Sequence, residues 1–238
     1  MIPKKIHYIW VGDEKPKDIK KCLKTWKKKF KGYEIIEWNE KNFDINSHHF
    51  AKEAYKAKKW AFVSDYIRAK VMYEYGGIYL DADIVAIKNF DKLLNNKGFV
   101  GFENDNYIFT ACFGMEPKHP FMKELLDYYD NIEFEYKKEN EMDYVNTKIF
   151  SDILVNKYKL IINNKEQTLN HDIKVYPDWL LCNPSNKSIT VHIFYGTWIE
   201  NYIVWKCKLV RYIKVRLTNR FLTGLYGLIV NKRYIKNK

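Results

Sequence analysis

The chain is short of arginine, of cysteine and of long apolar runs, and its last stretch has no acidic residue. Five of its 41 basic residues are arginines, four of them beyond residue 200, so Arg68 is the sole guanidinium of the first 200 positions. A chain that uses lysine almost everywhere else keeps one rigid fork, which binds carboxylate or phosphate with two parallel hydrogen bonds as lysine does not. Cys22, Cys112, Cys182 and Cys207 form no C-x-x-C pair and no zinc spacing. Reduced thiols in a cytosolic protein are therefore expected. No apolar run approaches the roughly 20 residues that span a bilayer. The opening Met1-Ile-Pro-Lys-Lys-Ile-His-Tyr-Ile-Trp10 lacks the apolar core of a signal peptide and passes straight into a strand pattern. Secretion and a membrane span are thus not expected.

What is present is a core-forming chain. It has 238 residues, of which 47% are hydrophobic and 17% aromatic, enough for a sizeable interior and too apolar for disorder. The net charge of +12 is unevenly spread. Residues 201–238 hold ten basic residues, from Lys206 to Lys238, and no Asp or Glu, so the remainder is almost neutral. The same segment is apolar, with Trp205, Leu209, Val210, Tyr212 and the run Phe221-Leu-Thr-Gly-Leu-Tyr-Gly-Leu-Ile-Val230. Basic and apolar residues together predict an amphipathic helical tail, suited to an anionic membrane surface. A nucleic-acid partner is not expected, since the body is not basic and no recognition motif occurs. The simpler alternative is a helix packed on the body with its lysines in water.

Along the chain, Lys5–Val11 reads as a strand. Pro16–Phe30 reads as an amphipathic helix through Ile19, Leu23, Trp26 and Phe30, and Tyr33–Trp38 as a second strand. This β-α-β opening predicts a parallel pair. One helix is expected over residues 50–75, stopped by Gly76-Gly77. A short strand, Ile78-Tyr-Leu80, then leads into Asp81-Ala82-Asp83. Phe99–Glu103 and Ile108–Met115 predict a hairpin across Asn104-Asp105-Asn106. Helices are expected from Pro120 to about Tyr129 and over about 145–157, with short strands and turns over 170–198. The fold class is α/β, a mixed sheet flanked by helices. The expected division is a body of residues 1–200 and a tail of 201–238.

Two carboxylates one residue apart at a strand end cannot both enter a dry core, because each buried anion costs several kcal/mol. They require solvent, cations or a metal, and hard oxygen donors suit Mg²⁺ or Mn²⁺. A D-x-D alone is weak evidence; following Gly-Gly-Ile-Tyr-Leu it is more informative.

Three separated segments carry a resemblance. Ser64-Asp65-Tyr-Ile-Arg68 with Tyr75-Gly-Gly-Ile-Tyr-Leu-Asp81-Ala-Asp83, the opening Ile2–Gly12, and Val191-His-Ile-Phe-Tyr-Gly-Thr-Trp198 are similar to the DXD-sugar glycosyltransferases. That family includes capsule and cell-wall sugar transferases, yeast mannosyltransferases and, more distantly, the large clostridial glucosylating toxins. The resemblance implies a GT-A-type, Rossmann-like fold, a nucleotide-sugar donor (UDP preferred) and a divalent metal, Mn²⁺ or Mg²⁺. It also implies transfer with retention of anomeric configuration to a saccharide acceptor. Asp83 would bind the metal, and Asp81 would contact the donor and support the metal. Asp65 and Arg68 would hold the donor sugar and its phosphate side, Trp10 would stack on the base, His192 would complete the metal shell or touch the diphosphate, and Trp198 would cap the diphosphate. The segment Tyr144–Lys148 departs from the Thr-Gly-Pro found in many members. Asn104, Asp105 and Asp152 are acceptor-side candidates only.

A lipid-linked acceptor at the inner face of a bacterial membrane, in surface polysaccharide synthesis, would account for the basic tail. A metal-dependent phosphoesterase would need more ligands grouped for two metals. A non-catalytic membrane-binding protein would leave Asp81 and Asp83 without a purpose.

Overall fold

The computed structural model describes residues 1–135, 144–196 and 205–235, with side chains from 208 to 230 in the last segment. The expected opening is present. Strand β1 (Lys5–Ile9), helix α1 (Lys17–Lys29) and strand β2 (Glu34–Trp38) place β1 and β2 in parallel register, Lys5 opposite Glu34. Helix α1 buries Ile19, Cys22 and Trp26, and its lysines face water. This is the stripe that its 3-4 spacing predicts.

The helix expected over 50–75 is two helices. Helix α2 (His49–Lys56) ends before α3 (Trp60–Tyr75), and between them Lys58 adopts φ 56° while the Lys59 N–H donates to Ala54 O at 2.9 Å. No glycine or proline marks this break, and lysine rarely takes a positive φ. The predicted stop at Gly76-Gly77 holds for a steric reason. Both glycines have positive φ, and a Cβ on Gly76 would lie 2.5 Å from Pro117 N.

Strand β3 (Gly77–Leu80) runs parallel to β1, and β4 (Ile84–Ala86) follows the Asp81-Ala82-Asp83 turn. Strands β5 (Gly98–Phe102) and β6 (Ile108–Met115) form the predicted antiparallel hairpin. Helices α4 (Pro120–Asp130) and α5 (Asn146–Tyr158) come next, α4 with proline in its first turn, where no N–H is needed. Strands β7 (Gln167–Leu169) and β8 (Ile173–Tyr176), the short helix α6 (Asp178–Leu181) and strand β9 (Thr190–His192) complete the body. The tail is two helices, α7 (Trp205–Lys214) and α8 (Arg220–Ile235).

Seven strands make one mixed sheet in the order β2-β1-β3-β6-β5-β8-β7, and β4 pairs with β9 in a second, two-stranded sheet. Strand β6, between β3 and β5, is buried along all eight residues, whereas edge strand β2 carries Glu34 and Glu37. Charges on an edge discourage further pairing. Alternation along β3 separates two cores. Tyr79 joins Val63, Ile67, Phe113, Phe121 and Phe150 on one face of the sheet, while Ile78 and Leu80 join Ile6, Trp26, Phe90 and Phe99 on the other. Cys22, Cys112 and Cys182 are buried free thiols. The Cys207 side chain and residues 136–143 lie outside the described residues. Among the described residues no helix is long and apolar enough to cross a membrane.

Candidate active site

Helix α3 and strand β3 build half of the site. Asp65 and Arg68, one turn apart, face inward on α3, with side chains 9% and 6% exposed. The two form an intrahelical ion pair, Arg68 Nη2 to Asp65 Oδ1 at 2.9 Å, which is buried and extends further. Arg68 Nη2 also reaches Asp81 Oδ1 at 3.3 Å, and Nη1 donates to Thr110 O at 3.0 Å. Tyr79 donates its hydroxyl to Asp81 Oδ1 at 2.6 Å, and the guanidinium lies 4.4 Å from the centre of its ring. Asn146, from α5, donates to Asp65 Oδ1 at 3.1 Å. Burial pushes the Asp65 carboxyl up to about 6 against the pull of Arg68, with Asp81 adding to the rise. Burial opposes the charge on Arg68, but Tyr79, Asp81 and Asp65 around it outweigh that and keep it firmly protonated.

The pairing of β4 with β9 builds the other half. Its register sets Ile84 opposite His192 and so brings a residue 109 positions away in sequence beside Asp83. His192 Nε2 lies 3.0 Å from Asp83 Oδ2, and the Tyr195 N–H donates to the same oxygen at 2.8 Å. Burial alone would raise the Asp83 carboxyl, yet the charge and hydrogen bond of His192 hold it below its ordinary value. Burial works against the His192 imidazolium, and Asp83 outweighs it, so His192 sits above its ordinary value.

Asp81, Asp83 and His192 each offer one ligand atom, all within 4.8 Å of one another. The other imidazole nitrogen, His192 Nδ1, is buried without a hydrogen-bond partner. Two carboxylates and an imidazole suit Mn²⁺ or Mg²⁺. The donor set therefore fits the group that the sequence implied.

Of the other expected residues, Trp10 lies just beyond β1, partly buried, and donates its indole N–H to Asp13 O at 2.6 Å. Asn104 is spent on its own turn, accepting from the N–H groups of Asn106 and Tyr107 at 2.8 and 3.2 Å. Asp105 accepts from Asn164, and Asp152 is exposed on α5 in a groove with Tyr128 and Lys148. Among the described residues no hydrogen bond or ion pair joins these three to Asp81 or Asp83. Trp198 lies outside the described residues.

Four further residues contact the charged groups of the site or act on them electrostatically. Tyr79 was readable, since a strand's period of two puts it on the same face as Asp81. Asn146 carried no local signal, and Tyr195, though inside the Val191–Trp198 segment, acts through its backbone N–H, which its residue type does not signal. Glu103, at the end of β5, is held above its ordinary value by burial; His192 pulls it back and Asp81 adds to the rise.

Residues 16–100 match the family described as glycosyltransferase sugar-binding region containing DXD motif. The chain carries a DXD-type glycosyltransferase region. It is 29% identical over 127 residues to subversion of eukaryotic traffic protein A of Legionella pneumophila, covering 42% of this chain and 20% of that protein. It is 26% identical over 139 residues to inositol phosphoceramide mannosyltransferase 3 of Schizosaccharomyces pombe, covering 57% of this chain and 39% of that one. The chain thus spans well under half the length of these two relatives. Among solved structures, the PaToxG glycosyltransferase superposes with a TM-score of 0.50 and 19% identity, over 66% of this chain and 69% of that one. The mixed sheet flanked by helices is the GT-A architecture of the DXD glycosyltransferases.

Proposed function

We propose that the protein transfers a hexose or N-acetylhexosamine from a nucleotide sugar, UDP-linked by preference, to a saccharide acceptor with retention of configuration. The observation that carries this reading is the meeting of Asp81, Asp83 and His192 within 4.8 Å, beside the buried Arg68 fork. Asp83 and His192 would hold a divalent cation, with Asp81 in support. Such a cation supplies Lewis-acid neutralisation of a leaving nucleoside diphosphate, worth several kcal/mol.

The chain's own residues do the rest. Arg68 brings a permanent positive charge to Asp81 from a rigid helix, so it needs no reorganisation when negative charge builds on the donor phosphates. Asp65, fixed by Arg68 and Asn146, offers a carboxylate to donor-sugar hydroxyls. Arg68 Nε and Asn146 Oδ1 are buried without partners, and orphaned polar atoms of this kind point to a ligand they would serve. Trp10 would cover the base. No carboxylate is assigned as a nucleophile, so attack from the leaving-group face, with a donor phosphate oxygen taking the proton, fits the residues present.

A lipid-linked acceptor, met at the inner face of a bacterial membrane during surface polysaccharide assembly, fits the cationic tail. One relative is named for mannosylating inositol phosphoceramide, which is itself a lipid.

The test is thermal stability with UDP and GDP, with and without Mn²⁺. Ligand at 100 times its Kd stabilises by about 2.7 kcal/mol. A Mn²⁺-dependent shift with UDP that disappears in Asp83→Asn, each shift read against that variant's own ligand-free melting temperature, is expected. No metal-dependent shift with any nucleotide, or undiminished transfer by Asp83→Asn, would overturn the reading.

A further inference from the structure

Helix α8 turns its smallest residues inward. Thr223, Gly224 and Gly227 are buried against the turn at residues 183–187. A Cβ on Gly227 would stand 2.4 Å from Pro184 O, and one on Gly224 would stand 3.1 Å from Asn186 Cβ. Arg220 fixes the start of the helix by donating from Nε to Asn186 O at 2.9 Å. The opposite face carries Phe221, Leu222, Leu225, Leu228 and Ile229, exposed by between 42% and 79%. These positions fall on one helical stripe. An ordinary surface helix buries such a stripe, whereas here the backbone is docked and the stripe faces outward. An open groove of about 440 Å³ runs between this stripe and Asn186, with Arg220 on its wall.

Charge identifies the partner. Residues 201–238 hold ten cations and no anion. Beside the α8 dock, Lys88 donates to Asn186 O and Lys187 O at 3.3 and 3.0 Å, which adds a body lysine to the same region. A second copy of the chain would bring like charges together, whereas an anionic bilayer offers both an apolar interior and negative headgroups.

We propose that α8 lies in the interface of an anionic lipid bilayer, with Phe221, Leu225, Leu228 and Ile229 inserted and exposed basic residues of the tail, among them Lys208 and Arg216, on the headgroups. The membrane dock is joined to the site through α7. Arg211 donates to Tyr195 O at 2.9 Å and Lys214 to His192 O at 2.9 Å, and the Tyr195 N–H holds Asp83. The membrane setting of transfer rests on the reading given above; the docking itself does not.

The experiment is co-sedimentation of the full chain with vesicles of phosphatidylglycerol mixed into phosphatidylcholine, and with phosphatidylcholine alone. Binding to the anionic vesicles is expected to be about tenfold tighter or more, and to weaken as salt shortens the Debye length. The triple change Leu225→Ser, Leu228→Ser and Ile229→Ser is expected to weaken it at least about tenfold at an unchanged melting temperature. Phe221→Ser alone, at the most exposed position, repeats the test should the triple variant melt early. Asp83→Asn is expected to bind vesicles like the parent while losing Mn²⁺-dependent nucleotide binding, so the two readings fail separately. Unchanged vesicle binding by the serine variants would overturn the proposal. So would a dimer in sedimentation equilibrium that these variants dissolve.

Discussion

Helices α3 and α8 are each sixteen residues long, yet they bury opposite things. Helix α3 sends Phe62, Val63, Tyr66, Ile67 and Met72 into the core together with two charged residues, Asp65 and Arg68. Among its described side chains, helix α8 buries a threonine and two glycines and leaves Phe221, Leu222, Leu225, Leu228 and Ile229 outside. The first helix is held by side chains, the second by close approach of its backbone. A side-chain-packed helix can carry a charge pair inward because neighbouring groups complete it: Thr110 O, the ring of Tyr79 and Asn146 serve this pair. A helix docked by its backbone contributes little core and keeps its face for another surface.

Breaking the α3 side is expected to cost most. Arg68→Met leaves Asp65 and Asp81 without their cation, and removing one partner of a buried ion pair costs about 3–5 kcal/mol. Urea unfolding measures this, and Arg68→Lys is expected to recover part of the stability while transfer stays low, since the fork is lost.

A pH titration is the next largest. His7 is fully buried; its Nε2–H donates to Gly76 O at the end of α3 at 2.9 Å, and its Nδ1 accepts from Trp38 Nε1 at 3.0 Å. Both ring nitrogens are thus satisfied only in the neutral form. Burial lowers its pKa from 6.5 to about 4. Above pH 6.5 it is neutral whether folded or unfolded. Between 6.5 and 4 the unfolded chain takes up a proton that the folded chain refuses. Stability therefore falls with falling pH over this window, by at most about 3 kcal/mol from this residue. His48 and His119 are lowered by burial too, so the difference between parent and His7→Gln isolates the effect.

On the α8 side, Gly227→Ala reverses a familiar sign. In an open helix this change gains about 1 kcal/mol. Here the Cβ meets Pro184 O at 2.4 Å, so the expected result is a loss of about 1–2 kcal/mol of docking. Hydrogen exchange of the α8 amides would rise while nucleotide binding is retained. The smallest effect is expected from Leu228→Ser, within about 0.5 kcal/mol by chemical denaturation, because the side chain already stands in water. A large loss there would mean that the face is covered.

Much of the body was legible. Helix α1, the β1–β2 pair, the β5–β6 hairpin and the start of α4 follow from short-range patterns that local physics obeys directly. The two carboxylates were legible because Asp81 and Asp83 directly follow Gly76-Gly-Ile-Tyr-Leu80, a glycine stop and short strand readable in the residues themselves. The break between α2 and α3 was not, because Lys58 carries no breaker signal and takes its left-handed conformation from hydrogen bonds that wrap the end of α2. Asn146 was not either, since nothing near it in the chain shows that α5 passes over Asp65.

By itself the sequence determined the alternating elements, the lone body guanidinium, the paired aspartates and the charge of the tail, all of which are local or compositional. Only the tertiary structure decided three further matters. The pairing of β4 with β9 set His192 beside Asp83, Arg68 was shared between two carboxylates, and α8 buried its glycines. Each depends on which distant backbone comes near, and that is set by packing of the whole sheet, which no local pattern encodes.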